Sequence, residues 1–229
     1  MTSELQDQPL NQSWLAWLTV ALAGIVAPAI SIVLFLNASE PAAFAATGGP
    51  IMAIGLMAVG MIAAAAAGRL WIGVLFALAV GAVLFMLAHA LGLPALPHFA
   101  ATWLTTFIAS ISFAARGALF ARSASEKGWW IALAVVAGEA AVVLTAVAEP
   151  GLLPDWLLAL LPAQWASLAF QSALTGTSTF ATSSPLIALG GTAAATMLVA
   201  KLWPSRWPYL VMFTTWLGLS ALVYHYPHF

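Results

Sequence analysis

No cysteine occurs anywhere in the 229-residue chain. Disulfides, thiolate metal centres and cysteine nucleophiles are therefore excluded. Charge is nearly as scarce. Only 6% of residues are Asp, Glu, Lys or Arg, where an ordinary soluble domain carries about a quarter. With a formal net charge of -1, there is no basic patch of the kind that binds nucleic acid, and no nucleic-acid partner is expected. HExxH, a Walker loop and GxGxxG are all absent. So is a GxSxG nucleophile elbow, and no set of catalytic residues emerges. The last apolar run holds no buried lysine, which excludes a rhodopsin-type Schiff base. No internal repeat is detectable, so the inverted-repeat signature of many transporters is missing. The N-terminal MTSELQDQPLNQSW is polar and lacks Lys and Arg, unlike a cleavable signal. Neither end carries a lipidation pattern.

What is present is apolar: 63% of residues are hydrophobic. Such a chain cannot cover a water-facing surface, but it suits contact with lipid. The expected fold is all-α, a polytopic transmembrane bundle forming one integral membrane domain over 1–229. A span needs about 20 mostly apolar residues. Seven segments qualify, near 14–36, 49–67, 70–91, 101–121, 129–148, 185–201 and 207–224. Gly68 and Arg69 leave room only for a tight hairpin between the second and third.

An eighth apolar stretch, 156–174, is ambiguous because Pro162 interrupts it and Gln164 and Gln171 add polarity. The six basic residues decide the topology, since Lys and Arg near span ends prefer the cytoplasmic side. With seven spans and a cytoplasmic N-terminus, Arg69, Arg116, Arg122, Lys127, Lys201 and Arg206 all fall on or near that side. Glu40, Glu149 and Asp155 then lie outside. An eighth span would throw Lys201 and Arg206 outward. The stretch 156–174 is therefore read as a helix that lies in the outer interface or re-enters from that side. Asp155 would be its N-cap, and Trp156 and Trp165 its interfacial anchors. Trp14, Trp17, Trp71, Trp129, Trp130, Trp203 and Trp207 form an aromatic belt at the cytoplasmic boundary. The pattern fits a bacterial-type inner (plasma) membrane, with the C-terminus periplasmic or extracellular.

Glu139 stands out within the spans. It lies about ten residues into the fifth, roughly 15 Å from that helix's start. Carboxylates at such depth are costly and often functional: a proton or cation relay, or a polar anchor for a ligand. A paired structural carboxyl is the plainer alternative. Arg116, inside the cytoplasmic end of the fourth span, is its expected partner, unless it snorkels to the headgroups. Thr102, Thr105, Ala109, Ser112 and Arg116 share one helical face. That stripe is either part of a hydrated path or hydroxyls bonding neighbouring helices.

His89, His98, His225 and His228 all fall on the outer side. Imidazoles there could ligate a metal or haem or respond to pH, although their spacing matches no metal motif. Three function classes follow. The first is a non-catalytic accessory or scaffold subunit of a membrane complex, holding a lipid, quinone or pigment. The second is a proton-coupled transporter built on Glu139. The third is an outer-face metal or redox protein built on the histidines.

Overall fold

The computed structural model describes residues 8–38, 41–93, 98–176 and 183–225. They are almost entirely helical, with no strand among them. The first helix has three parts: α1 (Gln8–Ala21), a π turn (Leu22–Val26) and α2 (Ala27–Ala38). The π turn has a local cause. Pro28 has no N–H to offer the carbonyl of Gly24. The preceding turn widens, and the Ala27 N–H bonds Leu22 O, five residues back. There follow α3 (Pro41–Ala67), α4 (Leu70–Ala90), α5 (Phe99–Ala124), α6 (Gly128–Ala148), the short α7 (Asp155–Ala159), α8 (Pro162–Thr175), α9 (Ser183–Leu202) and α10 (Trp207–His225).

The second expected span lies within α3, which is the core of the bundle. From Gly48 to Ala65 nearly every residue is buried, as befits a helix apolar all round. Gly24 packs on Val59 and Gly55 on Pro28, so the first helix runs antiparallel to α3. Gly68, with φ of 64°, makes the hairpin to α4. Close small-residue contacts continue inward: Gly73 of α4 meets Gly60 and Ala64, and Gly117 of α5 lies against the backbone of Met61.

These contacts bring three turns to one end of the bundle. They are the α3–α4 hairpin with Arg69, the α5–α6 turn with Arg122 and Lys127, and the α9–α10 turn with Lys201 and Arg206. The Arg122 guanidinium donates to Ala200 O at 2.6 Å. It thereby satisfies one of the carbonyls that α9 leaves free at its C-terminus. The basic residues thus gather at one end by packing as well as by sequence arithmetic. Most of the expected tryptophan belt is exposed there, including Trp14, Trp71, Trp130, Trp203 and Trp207. Trp129 is an exception, buried and stacked on Trp130.

Among the described residues, five stretches are long and apolar enough to cross a membrane: Trp14–Asn37, Thr47–Ala67, Leu70–Ala90, Phe99–Ala148 and Ser183–Leu202. These do not confirm a count of seven. The 50-residue stretch Phe99–Ala148 holds both α5 and α6, which fold back on each other at a 3-10 turn, Ser125–Lys127. Helix α10 is not among the five.

The stretch 156–174 is not one helix. It is two helices broken at Leu160–Leu161, and α8 packs inside the bundle rather than along its surface. Trp165 and Phe170 are fully buried, and Ser167 and Gln171 lie against Gly49 of α3. Trp165 is thus a core residue rather than an anchor, its indole N–H spent on Ala159 O at 2.8 Å. Asp155 is not an N-cap either: Pro154 holds that position, with no side-chain cap. The pair α7–α8 dips into the bundle and returns to the same end. Asp155 borders a cavity with His225 at the end of α10, and Leu160 O accepts from Trp216 Nε1 near the middle of that helix at 3.1 Å. After α8, Gly176 O accepts from His98 Nε2 at the start of α5, 3.3 Å away. The broken backbone lies among protein groups that bond its carbonyls, the condition under which irregular chain is tolerated at membrane depth.

Candidate functional site

The tip of this hairpin meets the buried charges. Arg116 lies eight residues before the end of α5, about 12 Å along the axis, and Glu139 eleven residues after the start of α6, about 17 Å. Because the two helices are antiparallel, the side chains meet. Arg116 Nη1 donates to Glu139 Oε1 at 2.7 Å, with side-chain exposures of 17% and 10%. The second carboxylate oxygen, Oε2, accepts from the Ala163 backbone N–H at 2.9 Å. Pro162 is the first residue of α8, so Glu139 caps another helix's N-terminus. It satisfies a free donor and lies at the positive end of the helix dipole.

Both oxygens of Glu139 are therefore bonded, whereas Arg116 keeps donors without a partner. Its guanidinium lies over the Phe113 ring, 5.1 Å from the centroid. Its Nε and Nη2 are buried and have no hydrogen-bond partner among the described residues. Buried donors of a charged group left unbonded are uncommon and costly.

Arg116 and Glu139 also line a cavity of about 300 Å³ between α5, α6, the α7–α8 break, α9 and α10. Its wall is apolar and aromatic except for Arg116, Glu139, Thr192 and Thr196. Both threonine hydroxyls donate to their own helix, Thr192 to Ala188 O at 2.8 Å and Thr196 to Thr192 O at 2.7 Å. They offer the cavity only acceptor lone pairs. Phe213, on the α10 side, is about half exposed on the outer surface of the bundle.

Of the polar stripe of α5, only Arg116 lines this cavity. Thr102, Thr105 and Ser112 are fully buried, and so are Thr106 and Ser110. Thr102, Thr106 and Ser110 donate to the carbonyls of His98, Thr102 and Thr106. Thr105 Oγ1 has no partner among the described residues.

The histidines are dispersed in role. His89 Nδ1 donates to Leu93 O at 3.1 Å, and His98 to Gly176 O as above. His225 lies edge-on to Tyr224 and borders a second, more polar cavity with Asp155 and Gln164. His228 lies outside the described residues. Among those residues no three of His, Asp and Glu come together as metal ligands.

Sequence reasoning missed Ala163, Thr192, Thr196 and Trp216. A tryptophan in the middle of an apolar helix, away from any belt, and a threonine pair one turn apart were the available signals. No family model, curated protein or solved structure matches the chain.

Proposed function

We propose that this chain is a multi-pass protein of a bacterial-type inner (plasma) membrane that holds a membrane-dissolved ligand beside Arg116. It acts as a non-catalytic accessory or scaffold subunit of a membrane complex. The ligand class is a lipid, quinone or pigment. The observation that carries this reading is the Arg116–Glu139 ion pair on an otherwise apolar, aromatic cavity. That is the usual composition of a ligand site: an apolar lining with a few fixed polar groups.

The topology proposed is seven spans, N-terminus cytoplasmic, with α7–α8 re-entering from the outer side. The shared end of the three basic turns supports it. A reporter fused after Phe229 is expected to be active outside the cytoplasm. A cytoplasmic signal there would rule out the seven-span arrangement.

The ligand reading is tested by purifying the full chain from its native membranes in mild detergent. Solvent extraction is expected to release one hydrophobic species at near-stoichiometric amount, together with co-purifying membrane subunits. The double variant Arg116→Met/Glu139→Leu is expected to lose that species while remaining folded. A protein that runs alone and yields no such species would count against the reading.

A second reading is favoured by one feature. A helix broken inside the bundle, with its N-terminus on a carboxylate, is the way many transporters build a midplane site. Proton-coupled uptake in vesicles that is lost in Glu139→Gln would support that alternative.

A further inference from the structure

We infer that the seam between α7 and α10 holds one phospholipid of the outer leaflet, its head zwitterionic and bearing an ammonium group. The inference rests on the ligand-holding reading above and names the ligand as a lipid.

Three cavities follow one another along this seam. The first, of about 490 Å³, lies at the end opposite the basic turns, where Asp155 of α7 and His225 of α10 both line it. The second, of about 260 Å³, shares Ala159 and Tyr224 with the first and continues past Trp156, Leu217 and Ala221. The third is the cavity of Arg116 and Glu139, which shares Leu160 with the second. Trp156, Leu217 and Tyr224 are about half exposed, so the seam is open on the outer surface of the bundle, where lipid lies.

Length is the first restriction. From Met212, in the wall of the third cavity, to His225, in that of the first, α10 rises about 20 Å. The hydrocarbon core of a bilayer is about 30 Å thick. The seam therefore spans one leaflet and part of its headgroup layer, and stops near the midplane.

Polarity changes along the same line. Asp155, Gln164, Tyr224 and His225 make the first cavity polar. In the second, the Ser220 hydroxyl is spent on Trp216 O at 2.8 Å, and the rest of the wall is apolar apart from Tyr224. In the third, the ion pair is closed on itself and mostly buried. A polar head outward with an apolar tail inward is how a lipid lies in its own leaflet. A wholly apolar ligand would leave the polar mouth unused.

Charge selects the head. Asp155 makes no ion pair among the described residues, and Arg116, the only Lys or Arg on any of the three walls, is committed to Glu139. An ammonium group would meet the Asp155 carboxylate. The phosphate would accept from the Gln164 amide, the Tyr224 hydroxyl and the His225 ring N–H. A head with net negative charge would face that carboxylate with no ammonium to offset it.

The test uses the full chain, delipidated in mild detergent, with two probes of identical acyl chains, phosphatidylethanolamine and phosphatidylglycerol. Binding is read by native mass spectrometry and by the shift in thermal midpoint. Phosphatidylethanolamine is expected to bind saturably, one per chain, and phosphatidylglycerol about two- to fivefold more weakly, the range for one partly exposed ion pair. Asp155→Asn is expected to erase that preference. Ala221→Trp sets an indole into the seam from an exposed position. It is expected to abolish binding of both lipids while the midpoint of the lipid-free protein holds. If phosphatidylglycerol binds as well as phosphatidylethanolamine, or Asp155→Asn leaves the preference intact, the inference falls and the ligand-holding reading stands. Phosphatidylethanolamine binding unchanged in Ala221→Trp would place the lipid elsewhere and overturn the inference. If neither lipid binds and native extracts contain no ligand, the reading itself falls.

Discussion

Glu139→Leu is expected to destabilise the protein by about 3–5 kcal/mol, the usual cost of removing one partner from a buried ion pair. Two groups would be left unpaired. Arg116, already short of partners at Nε and Nη2, would lose its only carboxylate. The Ala163 N–H, now bonded to Oε2, would be buried at an uncapped helix end. Leucine can neither titrate nor accept a hydrogen bond. Glu139→Gln keeps an acceptor for one of the two donors and is expected to insert and fold with a smaller loss, while abolishing function. Adding Arg116→Met to Glu139→Leu removes the orphaned cation, and most of the lost stability is expected to return. Thermal unfolding of the full chain in detergent checks all three. An active Glu139→Leu variant that melts with the wild type would show that the carboxylate is dispensable.

A change with no charge at all is expected to have a comparable effect. At Gly117 a Cβ atom would run into the backbone carbonyl of Met61, with the carbonyl carbon and Cα both at 2.9 Å. These atoms belong to the rigid central helix and cannot rotate away. Gly117→Ala therefore forces α5 off α3, and overpacking of this kind costs about 1–3 kcal/mol. Because Gly117 follows Arg116, the same displacement moves the guanidinium relative to Glu139. Ligand retention is expected to fall along with the melting point. Gly138, beside Glu139, has open space around its Cβ position. Gly138→Ala is the matched control and is expected to be near neutral. If Gly117→Ala melts like that control, the close α3–α5 contact is not what positions the site.

Much of this arrangement was legible in the sequence because charge is so rare in it. In a chain with six cations, a carboxylate and a guanidinium inside consecutive apolar runs joined by a short turn have few other partners. The hairpin at Gly68 was equally plain. The placement of α8 was not. Its mixture of small apolar residues with Gln164, Gln171 and Trp165 is what an interfacial helix shows. It is also what a helix packed on a small-residue face shows, because lipid tails and an Ala/Gly/Met surface are alike apolar. Only the partner distinguishes them, and that partner is Gly49 of α3, more than a hundred residues earlier. The Thr192 and Thr196 pair escaped notice for a related reason. Hydroxyls that bond their own helix leave no trace in hydropathy. Only the geometry shows which of them, like those of α5, face protein and which face a cavity.

The buried α7–α8 hairpin also implies an order of assembly. A ribosome delivers Asp155–Thr175 to the membrane well before Trp216 exists, yet Leu160 O depends on that indole across 56 residues. The hairpin is broken at Leu160–Leu161 and followed by Pro162, so it does not form one continuous spanning helix. It is expected to take its place only once α9 and α10 are laid down and the walls of its slot are standing. Until that step Glu139 and Arg116 have only each other. The expected last movement of biogenesis is then the one that closes the cavity, whose wall includes Leu160, Leu161 and Pro162, and a chain stalled before it would be inserted but hollow.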